Sequence, residues 1–104
     1  MNQNILIDVE KIPELLEQNY QFIDIRDAAS FKKEHLQRFI NIPLQQFDEY
    51  TSSIIKNIPV VLICYTGKTS HEIALKLNQQ GYTCYSIYGG FQTVKAAEPN
   101  PSYY

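Results

Sequence analysis

Val60-Val61-Leu62-Ile63 runs without a break into Cys64-Tyr65-Thr66-Gly67-Lys68-Thr69-Ser70, and a helical pattern follows at once. The apolar run reads as a strand, so a thiol sits where a strand meets a helix. Such a junction aims backbone N–H groups and the positive end of a helix dipole at one spot, which stabilises a thiolate or another anion there. Cys64 is therefore a candidate nucleophile. The competing reading is a small buried hydrophobe that ends a strand.

Outward from this stretch, apolar runs and helical patterns alternate along the chain, which predicts an α/β fold with a mostly parallel sheet. The predicted strands are Ile5 to Ile7, Phe22 to Ile25, Ile40 to Ile42, Val60 to Ile63 and Cys84 to Ile87. Leu15 and Leu16 anchor a short first helix, in which Pro13 is tolerable only near the first turn. Ala28 to Glu34 and Leu44 to Ile55 are further predicted helices. Ser70 to Gln80 is the clearest: Ile73, Ala74 and Leu77 share a face, Gly81 is placed for a left-handed C-cap, and Thr69 with Glu72 has the spacing of a capping box.

With 104 residues the chain is expected to form one domain over residues 1–98, and the proline-containing residues 99–104 are expected to be a flexible tail outside the core. Eleven acidic and nine basic side chains, a net charge of -2, are spread along the sequence. No basic face announces nucleic acid or a membrane surface as partner. The absence of a long apolar run, and a start of Met1-Asn2-Gln3-Asn4 without a cationic leader, predict a cytoplasmic protein. Cys64 and Cys84 are too few and too far apart for a disulfide scaffold, a CxxC pair or a zinc site. Strand polarity separates them further. Cys64 ends its strand while Cys84 begins the next, so in a parallel pair they fall at opposite edges of the sheet and Cys84 is not expected to resolve anything formed on Cys64.

Cys64-Tyr65-Thr66-Gly67-Lys68-Thr69-Ser70 resembles the active-site loop of single-domain rhodaneses, Cys-x-x-Gly-x-Arg-Ser. Three further segments follow the family's order. Phe22-Ile23-Asp24-Ile25-Arg26-Asp27 is similar to its Asp-x-Arg signature, Phe31 to Pro43 keeps the length of its Phe-x-x-x-His to Asn-Ile-Pro segment, and Tyr88-Gly89-Gly90-Phe91 is similar to its Gly-Gly-aromatic turn. The resemblance implies a single rhodanese-like domain with a five-stranded sheet flanked by helices, and a sulfurtransferase. A donor such as thiosulfate or a persulfide would give its sulfane sulfur to Cys64, and the Cys64 persulfide would pass it to a thiol or protein acceptor. It implies that backbone N–H groups of Tyr65, Thr66, Gly67, Lys68 and Thr69 cradle the terminal sulfur, and that no metal or organic cofactor takes part.

Thr69 stands where the family usually has arginine, Val94 replaces a tryptophan, and Glu34 and Arg38 stand where glycines often flank the family's histidine. Without the guanidinium fork, selection for thiosulfate is expected to weaken, with Lys68 supplying charge but not that geometry. Tyr65 is expected in the pocket wall. His71 is expected to be a solvated helix residue, and His35, Asp24 and Arg26 are expected to tie strand ends together. Two other functions remain open to the sequence. A phosphatase or arsenate reductase would need arginine at the sixth position after Cys64, where Ser70 stands; a non-catalytic interaction module would need no reactive thiol.

Overall fold

The computed structural model describes residues 4–99 and 102–104. Five strands, β1 (Leu6–Ile7), β2 (Gln21–Asp24), β3 (Ile40–Asn41), β4 (Val60–Ile63) and β5 (Cys84–Ile87), form one sheet in the order β1-β5-β4-β2-β3. Every pair is parallel. The five strands fall where the apolar runs place them, each within a residue or two. β4 lies in the middle, and all four of its residues are inaccessible to solvent. Successive side chains on a strand point to opposite faces, so a strand covered on both sides must be apolar throughout. Val60 and Leu62 join Ile23, Phe47, Ala74 and Leu77 in one core, while Val61 and Ile63 join Ile12, Phe22, Phe91 and Val94 in the other.

The helices are α1 (Ile12–Leu15), α2 (Ala28–Lys33), α3 (Leu44–Tyr50), α4 (Lys68–Gln79) and α5 (Gly90–Ala97). α3 and α4 cover the first core, and α1 and α5 the second. Pro13 is the second residue of α1, where its missing N–H costs nothing. α4 closes as Gly81 predicted: Gly81 has φ +97, its N–H reaches Asn78 O at 3.2 Å, and Tyr82 N reaches Leu77 O at 3.0 Å, the two bonds of a Schellman end.

Leu44 to Ile55 is not one helix. α3 stops at Tyr50, a 3-10 turn spans Thr51–Ser53, and Ile54 is already extended. The hydroxyls of Thr51 and Ser52 donate back to Phe47 O (3.0 Å) and Glu49 O (3.4 Å), the local competition that makes such residues poor helix continuers. The extended backbone then lets Ile54 turn into the core.

The tail also departs from expectation. Gln37 N donates to Tyr103 O at 2.8 Å, and the Tyr104 ring stacks on Phe91 with centroids 5.7 Å apart, so the last two residues pack against the second core. Two aromatic rings offer more apolar area than the neighbouring prolines signal. Asn100 and Pro101, and Met1 to Gln3 with the expectation about a leader, lie outside the described residues. Among the described residues no helix is long and apolar enough to cross a membrane.

α2 begins at an acid cap. Asp27 accepts from Ser30 Oγ at 2.8 Å and Ser30 N at 3.0 Å, and those bonds hold its carboxyl below the ordinary value of 3.8. A carboxylate with a lowered native pKa stabilises fully above its unfolded value and loses that contribution as pH falls through the native one. Urea unfolding from about pH 5 to about pH 2 is expected to lose less stability in Asp27→Asn than in the wild type over that window.

Candidate active site

From the end of β4 the chain crosses the carboxyl edge of the sheet and wraps around a sulfur. Cys64 is 7% exposed, and its Sγ receives Gly67 N at 3.1 Å and Ser70 N at 3.4 Å, with Ser70 Oγ at 3.3 Å. Gly67, at φ +90, is the residue before α4, and a Cβ there would lie 2.8 Å from Gly89 N. Ser70 is the third residue of α4, so the sulfur takes the N–H that a capping side chain ordinarily accepts. This overturns the predicted capping box. The helix starts at Lys68 rather than Ser70, its N-cap makes no side-chain bond, and Thr69 lies inside the first turn.

Lys68 N is bonded to Thr66 Oγ at 3.3 Å, whereas among the described residues Tyr65, Thr66 and Thr69 have no acceptor for their N–H groups. Open amides beside a helix start favour negative charge. The carbonyls of the same turn are occupied: Cys64 O receives Phe91 N at 2.8 Å and Tyr65 O receives Gln92 N at 3.0 Å. The loop therefore rests on the first turn of α5, and the sequence reading gave Gly89 and Gly90 no such part.

Tyr65, 57% exposed, walls a hollow of about 290 Å³ with Arg26, Lys33, Gln92 and Lys95. On the other flank Thr66, Lys68, His71 and Tyr88 border a second hollow of about 250 Å³. His71 makes no bond to Cys64, in keeping with a helix-surface role. Lys68 is exposed and forms no ion pair among the described residues.

Asp24 and Arg26 tie strand ends together as expected. The guanidinium Nε lies 3.1 Å from both carboxylate oxygens, Nη2 lies 2.9 Å from Oδ2 and 2.7 Å from Glu34 O, and the group sits 3.9 Å over the Phe91 ring. Asn41 Nδ2 spans from β3 to Asp24 O and Arg26 O, both at 2.9 Å. His35 stacks on Phe31 and donates from Nδ1 to Phe31 O at 2.7 Å. Cys84 is opposite Val60, at the far end of the β4–β5 pair, and burial pushes its thiol up to about 12. Both cysteines are free thiols. Among the described residues no cluster of three or more His, Cys, Asp or Glu could hold a metal ion.

A parallel sheet that delivers a cysteine from its central strand into an amide-lined loop at the carboxyl edge, braced by a Gly-Gly turn and a buried Asp-Arg pair, defines a class of α/β proteins built around one thiol. The chain belongs to the rhodanese-like domain family, whose model matches residues 8–97. It is 36% identical over 77 residues to the thiosulfate sulfurtransferase GlpE of Coxiella burnetii strain RSA 331, covering 73% of this chain and 72% of that protein. The same-named protein of Pseudomonas savastanoi pv. phaseolicola is 30% identical over 95 residues, 90% of each chain. Among solved structures, the reduced CoADR-RHD of Bacillus anthracis superposes with a TM-score of 0.83 at 22% identity, covering 90% of this chain and 17% of that one. A rhodanese-related protein of Thermoplasma volcanium gives 0.80 at 22% identity, covering 88% and 91%. These structural matches bear on the fold.

A Cβ on Gly90 would stand 2.5 Å from Gly67 N and 2.6 Å from Cys64 O, at φ +68. Gly90→Ala is expected to cost about 2–4 kcal/mol in urea unfolding and to disorder the loop, because neither backbone can yield. Asp24→Ala is expected to cost about 3–5 kcal/mol in the same measurement, since it strands a buried guanidinium.

Proposed function

We propose that this rhodanese-type sulfurtransferase takes sulfane sulfur onto Cys64 as a persulfide and hands it to a thiophilic acceptor, a small thiol or a protein thiol. The observation that carries the reading is the sulfur of Cys64 held by Gly67 N and Ser70 N beside the open amides of Tyr65, Thr66 and Thr69. In the first half-reaction the Cys64 thiolate attacks the outer sulfur of thiosulfate. The Sγ–S bond forms, the bond to the inner sulfur breaks, and sulfite leaves with that electron pair. A persulfide donor reacts in the same way and releases its thiolate. In the second half-reaction the acceptor thiolate attacks the outer sulfur and Cys64 leaves as thiolate.

The terminal persulfide sulfur carries the negative charge between these steps. Loop amides that bond no other acceptor stabilise that charge, as donors in an oxyanion hole do. Lys68, exposed beside the loop, adds a positive charge at the rim, and Thr69 contributes its N–H from the first turn of α4. Thiosulfate as donor is supported by the two sequence relatives, both named thiosulfate sulfurtransferases. The match over residues 8–97 supports one domain within residues 1–98. Two unpaired cysteines accord with a reducing compartment, the cytoplasm.

The test is intact mass after incubation with thiosulfate or with a persulfide donor. The wild type is expected to gain one sulfur atom and to lose it to an added thiol, and Cys64→Ser to gain none. Failure of the wild type to gain sulfur from any donor overturns the reading.

A further inference from the structure

A second hydroxyl lies behind the one that touches Cys64. Ser86, in the middle of β5, is inaccessible to solvent, as is Ser70 in the first turn of α4, and their Oγ atoms are 2.7 Å apart. Ser70 Oγ in turn lies 3.3 Å from Cys64 Sγ and 3.4 Å from Gly67 O. Among the described residues Ser70 is the only hydrogen-bond partner of the Ser86 hydroxyl. A buried O–H without an acceptor is costly, so the Ser86 proton belongs on Ser70 Oγ.

That assignment orients the whole row. With one lone pair of Ser70 taken by Ser86, the single Ser70 proton turns away from β5, toward Gly67 O or Sγ. When Cys64 ionises, the sulfur becomes a charged acceptor and wins that proton over a neutral carbonyl at similar range. Each bond in such a row polarises the next. We propose that Ser86 is a positioning residue for the Cys64 thiolate, acting through Ser70. The inference rests on Cys64 working as a thiolate, as in the function proposed above, and concerns how β5 helps to hold that ion.

The ionisable groups on the loop and on the elements around it are Tyr65 in the loop, Lys68, His71, Glu72 and Lys76 on α4, Asp24 in β2 with Arg26 just beyond it, Asp48, Glu49 and Tyr50 on α3, Cys84 and Tyr85 on β5, Tyr88 before α5, and Lys95 on α5. None is hydrogen-bonded to Sγ, and all are common to the variants below. A difference between those variants therefore reports the hydroxyls.

The experiment is the pH dependence of Cys64 alkylation by iodoacetamide, with the adduct assigned to the Cys64 peptide so that Cys84 does not contribute. Ser70→Ala is expected to raise the midpoint by about one unit, a tenfold fall in thiolate at neutral pH. Ser86→Ala is expected to raise it by about half a unit, roughly threefold, and Ser86→Thr to restore it. In the Ser70→Ala background, Ser86→Ala is expected to add nothing, because the path from β5 to the sulfur is already cut. An unchanged midpoint in Ser86→Ala, or a shift that persists without Ser70, overturns the proposal. If Ser86→Ala does not fold, Ser86→Val, which has the shape of Ser86→Thr without the hydroxyl, is expected to shift the midpoint in the same direction, and no shift overturns it equally. Alkylation requires no sulfur donor, so a failure of the relay and a failure to form persulfide are read separately.

Discussion

Two hydrogen bonds between backbones, Phe91 N to Cys64 O and Gln92 N to Tyr65 O, decide what the cysteine loop can offer. A trans peptide points its C=O and N–H in opposite directions. Once α5 has claimed the carbonyls of Cys64 and Tyr65, the N–H groups of Tyr65 and Thr66 must face away from α5, toward the open edge of the sheet. The polarity of the cup is thus set by the helix behind it. This needs β4 and β5 to be neighbours, which the sheet order provides, and it needs backbones closer than any Cβ allows, which Gly67 and Gly90 provide.

The same helix is fixed from a second direction. Arg26, clamped by Asp24 at the end of β2, reaches Glu34 O after α2 and sits over the ring of Phe91, the residue whose N–H holds Cys64 O. A buried ion pair of this kind is often no more stable than apolar side chains of the same volume, because both charges must leave water. Its value here is directional. A bidentate fork over an aromatic ring fixes the start of α5 relative to β2 in a way that apolar contacts alone, which tolerate sliding, do not.

These arrangements were unequally legible in the sequence. The strands were readable because a sheet covered on both faces demands uninterrupted apolar runs, and the end of α4 because Gly81 occupies a position where other residues are strained. The start of α4 runs against its local spacing: Thr69 and Glu72 have the spacing of a capping box, but the acceptor that serves Ser70 N is a sulfur six residues upstream. The end of α3 depended on two hydroxyls folding back onto carbonyls, and the docking of Tyr103 and Tyr104 on Phe91, a contact remote in sequence. Neither leaves a periodic trace. Ser86 gave only a faint sign, a small polar residue within Cys84-Tyr85-Ser86-Ile87, and its partner is defined by the register of β5 against α4.

The two cysteines separate the effect of place from that of residue type. Both are free, both are nearly or fully buried, and they belong to adjacent parallel strands, Cys84 as the first residue of β5 and Cys64 as the residue after β4. Cys84 opens β5 at the amino edge, where apolar neighbours surround it and ionisation would put an uncompensated charge in a medium that cannot solvate it; its thiol is accordingly pushed up to about 12. Cys64 follows β4 at the carboxyl edge, where two N–H groups and a hydroxyl converge on the sulfur. Parallel strands make the two edges chemically unequal, since every strand there hands its chain to a helix start at one edge and receives it at the other. What sets Cys64 apart for the proposed sulfur chemistry is therefore the edge it occupies, and its place at the opposite edge removes Cys84.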